Sequence, residues 1–255
     1  MGESASDSVS FRPAVLIPVY NHEHAIGATL DAVLAHDCNV LLVDDGCDET
    51  CARVLVELGE RHSDRVKLLR LEQNGGKGAA VKAGLRALLA NGFSHGLQVD
   101  ADGQHDVDDL PRLLEAARQH PCSLVSGYPE FDASVPRMRL YGRYLTHIWV
   151  WINTLSFDIR DTMCGFRVYP LAAVVAMLEQ EPCGDRMDFD PEVMVRWHWR
   201  GGRVIGIPTR VSYPLDGVSH FDVCRDNLRI TRMHTRLFFG MLLRLPVILG
   251  RRIYG

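Results

Sequence analysis

Short apolar runs alternate with segments of helical periodicity along the first half of the chain. The runs are AVLIPVY (14–20), NVLLVDDG (39–46), RVKLLRL (65–71) and HGLQVDADG (95–103), and helical spacing follows at 25–35, 53–62 and 77–92. Continuous apolar runs of this length are typical of strands buried on both faces. Strands that alternate with helices of about three turns form parallel, doubly wound sheets. The pattern therefore predicts an α/β, Rossmann-like fold with a mostly parallel sheet flanked by helices.

Longer helices dominate the pattern after residue 128. A helix at 107–119 and a strand at 123–127 continue the first pattern, and the stretch at 129–139 is rich in turn formers. The next predicted elements are a helix at 137–157, a polar loop containing CGFRVYP (164–170), helices near 171–180 and 190–200, a strand at 202–208 and a helix after His220. The predicted divisions are a flexible start (1–12), a first half (13–128), a second half (129–235) and an amphipathic tail (236–255).

Composition and charge narrow the class of protein. The 255 residues carry a formal net charge of -4, and nucleic-acid binders usually show a basic excess, so we expect no nucleic-acid partner. The seven cysteines form no pair of CxxC motifs, which favours free thiols over a zinc site. Residues 1–10 lack the features of a signal peptide, and no uninterrupted apolar stretch reaches about 18 residues. We expect a cytoplasmic protein.

Asp100 and Asp102 in VDADGQH form the most informative pair of polar residues. Residues two apart on an extended segment point to the same side, so the two carboxylates are expected to converge. A divalent cation, Mg²⁺ or Mn²⁺, would relieve their repulsion and keep coordination sites for phosphate oxygens. Gln104 is placed to add an amide oxygen. A solvated acidic loop is the alternative interpretation of such a pair.

Two further segments suit a nucleotide. Asp44 and Asp45 end the run LLVDDG, where acidic residues bind ribose in other nucleotide folds; a turn started by Asp-Gly is the alternative. In NGGKGAAVKAG (74–84) the glycines let backbone N–H groups approach a ligand, and Lys77 adds a positive charge at a helix start. This combination suits a diphosphate, although a tight strand-to-helix turn would need the same glycines.

Five segments of the chain, taken in order, resemble glycosyltransferase family 2, and within it the polyprenyl-phosphate glycosyltransferases of the dolichol-phosphate mannose synthase type. The segments are LIPVYN (16–21), LLVDDG (41–46), NGGKGAAVKAG (74–84), VDADGQH (99–105) and CGFRVY (164–169). The resemblance implies the GT-A fold and a metal-dependent enzyme that moves a sugar from a nucleoside-diphosphate sugar to a lipid-like acceptor, with polyprenyl phosphate as the leading candidate.

The same resemblance implies that the two halves of the chain bind different substrates. The first half would bind the donor, and the second half would bind the acceptor. The residues implied near the nucleotide are Pro18, Tyr20, Val43 and Asp45, and those implied at the metal and the donor are Asp100, Ala101, Asp102 and Gln104. We expect Asp102 to be essential for catalysis, because it would hold charge where the diphosphate leaves.

The acceptor half departs from the family pattern. An arginine and a lysine of the synthases align with Pro214 and His220 in this chain. His220 is therefore a candidate partner for an acceptor phosphate, helped by Arg210 or Arg167, or a candidate base. A phosphate acceptor needs no base, whereas a lipid hydroxyl does. The candidate bases for a hydroxyl are Asp161 and one of Asp188, Asp190 and Glu192.

The tail and two alternatives from other classes complete the interpretation. The segment HTRLFFGMLLRLPVILGRRIYG (234–255) mixes apolar runs with arginines, which suits peripheral contact with the cytosolic face of a membrane; a helix packed on the domain is the alternative. A sugar-1-phosphate nucleotidyltransferase would need a glycine-rich basic loop after the first strand, where PVYNHEH stands. A catalytically silent sugar-nucleotide sensor would keep donor binding without turnover.

Overall fold

The computed structural model describes residues 10–130, 137–211 and 222–254. The strands are β1 Pro13–Val19, β2 Val40–Asp44, β3 Val66–Arg70, β4 His95–Gln98, β5 Leu124–Pro129, β6 Arg167–Pro170 and β7 Val204–Thr209. The α-helices are α1 Ile26–Leu34, α2 Glu49–Arg61, α3 Lys77–Ala90, α4 Leu110–Gln119, α5 Arg137–Thr154, α6 Leu171–Gln180, α7 Phe189–Trp199 and α8 Val223–Tyr254. A short 3₁₀ helix, Val107–Asp109, precedes α4.

The seven strands form one sheet in the order β3-β2-β1-β4-β6-β5-β7. All pairings are parallel except those of β6, which runs antiparallel to both β4 and β5. The expectation of a mostly parallel α/β sheet flanked by helices is therefore confirmed. Because β6 and β7 come from the second half of the chain, the two predicted halves share a continuous sheet.

Successive residues of β1 pack on opposite faces of the sheet. Leu16 belongs to the apolar cluster that α3, α6, α7 and α8 cover. Val15 and Ile17 belong to the cluster that α1, α2 and α4 cover. Burial on both faces explains why the strand reads as one uninterrupted apolar run, since neither face needs polar side chains.

The predicted strand at 95–103 is shorter than its apolar pattern indicated. β4 ends at Gln98, and Ala101 and Asp102 lie in a turn. Asp102 Oδ1 accepts a hydrogen bond from the N–H of Gln104 at 3.1 Å, a local side-chain bond that competes with strand pairing. The assumption that Asp100 and Asp102 share an extended segment was therefore wrong.

The segment 164–170 was wrongly predicted as a polar loop. Its last four residues form β6, a buried strand between β4 and β5. Arg167 is fully buried there because its guanidinium donates to the carbonyl oxygens of Thr162 at 3.2 Å and Cys164 at 3.0 Å. A buried arginine satisfied by distant backbone oxygens leaves no signal in the local pattern.

The predicted tail is the second half of one long helix, α8. One face of it is buried against the core at Met233, Leu237, Met241 and Ile248. By length and composition α8 is also apolar enough to cross a membrane, which corrects the expectation that no such segment exists; 28% of its most apolar window is buried in the protein. The helix thus packs on the domain and keeps an exposed apolar face.

His234 gives the α5–α8 interface a pH-dependent contribution to stability. Asn153 Nδ2 lies 3.2 Å from His234 Nδ1, and burial lowers the pKa of His234 to about 4. Between pH 6.5 and 4 the unfolded chain protonates this histidine and the folded chain does not, so the free energy of unfolding falls as the pH falls. We predict that His234→Gln weakens this loss by up to about 3 kcal/mol.

Urea unfolding of both proteins at several pH values in that range measures the effect. His24→Gln is the matched control, because the His24 side chain is 94% exposed. Identical pH dependence in the wild type and His234→Gln would show that His234 does not carry the contribution.

Candidate active site

The carboxyl ends of β1, β2 and β4 meet at one edge of the sheet. The register places Pro18 opposite Val43, and the backbone N–H of Asp45 donates to the carbonyl of Val19 at 2.9 Å. Tyr20 follows β1 directly and is half-buried. These positions were predicted to lie near the nucleotide, and the structure brings them together.

Asp45 shapes the glycine-rich loop that leads into α3. Its Oδ1 accepts the N–H of Gly75 and its Oδ2 accepts the N–H of Gly76, each at 2.9 Å. Burial raises the pKa of Asp45, and the two N–H groups oppose that effect. Gly46 has a φ of 68°, and a Cβ there would overlap the backbone of Asn74. In the structure Asp45 therefore positions backbone N–H groups; direct contact with a base or ribose stays a prediction.

Lys77 connects the two halves of the chain. Its Nζ lies 2.8 Å from Asp100 Oδ2, just beyond β4, and 3.0 Å from Asp190 Oδ2, in the first turn of α7. Burial alone would lower the pKa of Lys77, but the two carboxylates raise it well above its usual range. Lys77, expected to face a diphosphate, is thus a cation between two carboxylates that come from distant parts of the sequence.

Asp100 is held by contacts on several sides. Besides Lys77, His105 Nε2 lies 3.4 Å from Oδ2, and Gln98 Nε2 donates to Oδ1 at 3.2 Å. Gly165 packs so closely that a Cβ at this position would overlap the Asp100 carboxylate. Burial alone would raise the pKa of Asp100, but Lys77 and His105 hold it well below its usual range. Asp100 is therefore a fixed anion.

A second layer of hydrogen bonds supports Asp100 from β6. The Tyr169 hydroxyl donates to Gln98 Oε1 at 3.0 Å, and Arg167 Nη1 donates to the same hydroxyl at 3.3 Å. Burial raises the pKa of Tyr169 to about 12, so the hydroxyl remains a donor at neutral pH. Arg167 was considered as an anion-binding residue, but its N–H groups donate hydrogen bonds to oxygen atoms of the protein.

The acidic turn after β4 offers oxygen ligands suited to a hard divalent cation. Asp102 is half-buried, and Ala101 is buried with its carbonyl 3.4 Å from Thr29 Oγ1. Among the described residues no group of three or more His, Cys, Asp or Glu could hold a metal by itself. Mg²⁺ typically takes one or two carboxylates and completes its shell with phosphate oxygens and water. Asp100 and Asp102 fit that limited role by the chemistry of their oxygens, and a metal would share the Asp100 carboxylate with Lys77, His105 and Gln98.

Asp161, predicted as a general base, lies in an ion-pair network. Arg143 donates to both of its oxygens, and His147 Nε2 lies 3.0 Å from Oδ2. The N–H groups of Met163 and Cys164 donate to Oδ1 at 2.9 Å and 2.8 Å. Burial alone would raise the pKa of Asp161, but His147 and Arg143 hold it well below its usual range. Such a carboxylate suits structural support better than proton abstraction.

Asp190 is the candidate base that borders a cavity at the site. A cavity of about 80 Å³ is lined by Lys77, Thr146, Met163, Met187, Asp190, Pro191 and Ile230. Glu192 instead pairs with Arg196 and Arg236. Asp188 Oδ1 accepts the N–H of Arg186 at 3.2 Å. His220 and Pro214 lie outside the described residues.

Sequence reasoning missed three residues that contact this site. Gly165 gives Asp100 its space, Gln98 orients it, and Arg186 Nη1 donates to Asn74 Oδ1 at 3.0 Å beside the glycine-rich loop. The motif CGFRVY contained a signal for Gly165, because a glycine next to a β-forming run often marks a close approach. No local signal identified Arg186, which reaches the loop from across the chain.

Comparisons with known proteins bear on the family and the fold of the chain. A protein-family model described as Glycosyl transferase family 2 matches residues 14–175. Mouse dolichyl-phosphate beta-glucosyltransferase is 28% identical over 210 residues, which cover 74% of this chain and 63% of that enzyme. Polyprenol monophosphomannose synthase of Mycolicibacterium smegmatis is 29% identical over 184 residues, covering 65% of this chain and 66% of the relative. The chain thus spans less than two thirds of the length of either relative.

A solved structure supports the fold. Staphylococcus aureus TarS, residues 1–349 in complex with UDP-GlcNAc, aligns with a TM-score of 0.60 at 16% identity, covering 95% of this chain and 73% of that chain. At this identity the likeness concerns the fold alone. The resemblance that the five sequence segments indicated is confirmed by the family match.

We predict that Gly165→Ala weakens the metal-dependent binding of nucleoside diphosphates by about tenfold. The added methyl group would displace the Asp100 carboxylate, and overpacking of this kind typically costs about 1–3 kcal/mol. Titration calorimetry with UDP and GDP in the presence of Mn²⁺ measures the affinity. Gly27→Ala in α1 is the control, since a Cβ there meets nothing within 4 Å. Unchanged affinity in Gly165→Ala would contradict the assigned position of Asp100.

Proposed function

Because the chain belongs to glycosyl transferase family 2, we propose that it moves a sugar from a nucleoside-diphosphate sugar to a polyprenyl phosphate. The observation that carries the proposal is the pairing of Lys77 with Asp100 and Asp190. It joins the donor edge of the sheet to a cavity walled mainly by apolar side chains. Both curated relatives are named for transfer to a dolichyl or polyprenol carrier.

The donor would lie across the carboxyl ends of β1 and β2. Pro18, Tyr20, Val43 and Asp45 would surround the nucleotide, as the register of the two strands supports. The N-terminal end of α3 favours negative charge, although the N–H groups of Gly75 and Gly76 before it already donate to Asp45. Lys77 in the first turn is a cation that a diphosphate would share with Asp100 and Asp190. These features support a bound diphosphate at the glycine-rich loop.

Asp100, Asp102 and Gln104 would hold Mg²⁺ or Mn²⁺ beside the donor. When bound, such an ion neutralises charge that develops on a departing diphosphate. The chain's own residues prepare for it, because Lys77 and His105 keep the Asp100 carboxylate ionised. Gln98 and the close packing of Gly165 fix its position. The oxygen-only donor set favours these hard ions over zinc.

A phosphate acceptor agrees best with the environment of the acidic residues. Its oxygen is already anionic, so transfer to it requires no general base. Asp161 is paired with Arg143, and Asp190 is paired with Lys77. His220 and Arg210 are the proposed cationic partners of the acceptor phosphate. Transfer to a lipid hydroxyl remains the second candidate, with Asp190 as its base because it borders the cavity.

Exposed apolar side chains support peripheral contact with a membrane. On α8 the exposed side chains Phe239, Leu243 and Val247 follow one another at intervals of four residues, and Leu243 is 84% exposed. Helical residues at this spacing share one face. An apolar face of this kind on a helix with many arginines suits the membrane interface, where a lipid-linked acceptor is presented. We propose that the contact is with the cytosolic face of the membrane, as the sequence led us to expect.

We predict that Asp102→Asn keeps the fold and lowers turnover by about 10²-fold or more, as removal of one major electrostatic stabiliser does. Release of nucleoside diphosphate from a panel of nucleotide sugars, measured at limiting Mn²⁺, gives the rate. Asp108→Asn is the matched control, because the Asp108 side chain is 94% exposed. Near-normal turnover of Asp102→Asn would refute the metal assignment. Absence of donor-dependent release from the wild type would favour the silent sensor.

We predict transfer to a polyprenyl phosphate and none to the corresponding alcohol. If protonated His220 binds the phosphate, the acceptor KM should rise from about pH 6 to 8, since imidazole titrates near pH 6.5 and loses its charge. His220→Lys should flatten this dependence, whereas His24→Lys should not. KM and kcat for both acceptors across this range provide the measurement. Transfer only to the alcohol, with turnover rising as a base deprotonates, would establish the hydroxyl alternative.

A further inference from the structure

A basic cavity of about 670 Å³ lies beside the edge strand β7, apart from the Lys77 cluster. Arg160, Arg203, Arg251 and His198 contribute its basic lining, and Asp158 is the only acidic residue among the described residues that line it. None of the described residues that line it also lines the smaller cavity at Lys77 and Asp190. The cavity is therefore a separate site with an excess of positive charge.

Two of the three arginines are held in place by neutral groups. Arg160 Nη1 donates to the Tyr128 hydroxyl at 2.8 Å, and its guanidinium lies 5.1 Å from the centre of that ring. Arg251 Nη1 donates to the carbonyl of Trp199 at 2.6 Å. By contrast, Arg196 pairs with Glu181 and Glu192. Neutral partners fix a guanidinium without neutralising it, so the charge remains available to an anion.

The three cavity arginines form no ion pair with a carboxylate in the described part of the chain. Guanidinium groups bind phosphate oxygens through paired hydrogen bonds, a geometry that favours phosphate over a simple monovalent anion. A phosphate group is therefore the ligand chemistry that best matches the lining.

Apolar surface adjoins the basic lining on two sides. Phe157, part of the lining, is 78% exposed, although large aromatic side chains are usually buried. The exposed residues Phe239, Leu243 and Val247 of α8 continue at the same interval of four residues to Arg251. A ligand that joins a phosphate to an apolar chain would match both features.

We propose that this cavity binds the phosphate group of an anionic membrane lipid and thereby orients the protein at the bilayer. The inference rests on the membrane contact proposed above, but it assigns a separate site with its own residues. Basic residues near an anionic membrane surface each add to binding, and their effect is screened by salt. A fixed cavity adds selectivity for the headgroup to this general attraction.

Flotation of the full chain with vesicles of phosphatidylcholine, with and without phosphatidylglycerol, tests the site. Arg160→Gln/Arg203→Gln should lose about tenfold or more of the preference for phosphatidylglycerol. Arg61→Gln/Arg86→Gln removes the same charge from exposed helix positions outside the cavity and should keep the preference within about threefold. Equal loss in both double variants would overturn the site, because it would show general attraction only.

Calorimetric titration with inorganic phosphate and with glycerol 3-phosphate distinguishes a lipid headgroup from a free anion. Saturable binding that is lost in Arg160→Gln/Arg203→Gln and kept in the control would support the cavity as a phosphate site. If the protein also fails to bind vesicles, the phosphate site stands and the proposed membrane contact is refuted. Headgroup preference without binding of either soluble anion would assign the site to the lipid. Identical behaviour of both double variants with every probe would overturn the proposal.

Discussion

The ion pairs of Lys77 are the interaction on which the rest of the site depends. Burying a charge is costly unless an opposite charge is held nearby. Lys77 at the start of α3 meets Asp100 after β4 and Asp190 on α7, so one ammonium group satisfies two carboxylates from separate parts of the chain. Without it, the buried carboxylate of Asp190 and the half-buried carboxylate of Asp100 would lose their shared cation. The Lys77 ammonium group that a donor would meet therefore also holds α7 against the carboxyl ends of the strands.

The reversed strand β6 explains why the two halves of the chain cannot be treated as independent units. It places Arg167 opposite Gln98 in the sheet, and Tyr169 joins them through its hydroxyl. Gly165, just before the strand, packs on Asp100. Elements of the second half therefore set the position of Asp100, a residue of the proposed metal site, and a substitution in β6 would act on that residue.

The parts of the fold predicted from the sequence are those whose pattern reflects burial alone. β1 and α6 were predicted close to their observed bounds, because apolar runs and helical periodicity follow directly from which faces are covered. β6 was missed because Arg167 is stabilised by carbonyl oxygens such as that of Cys164, a contact that exists only in the folded chain. The end of β4 was missed because Asp102 bonds to the backbone of the next turn.

The roles of the acidic residues in the candidate site were also harder to predict from sequence than their positions. Asp45, Asp100 and Asp161 were all identified from residue type and position, yet each has a different environment. Asp45 is bound by backbone N–H groups and its pKa is raised by burial, whereas the cations beside Asp100 and Asp161 lower theirs. A strand end indicates where a carboxylate will lie. The groups that contact the carboxylate then decide whether it orients a loop, holds a cation or accepts a proton. Those partners come from residues far away in sequence, so the sequence located the acidic residues more reliably than it assigned their roles.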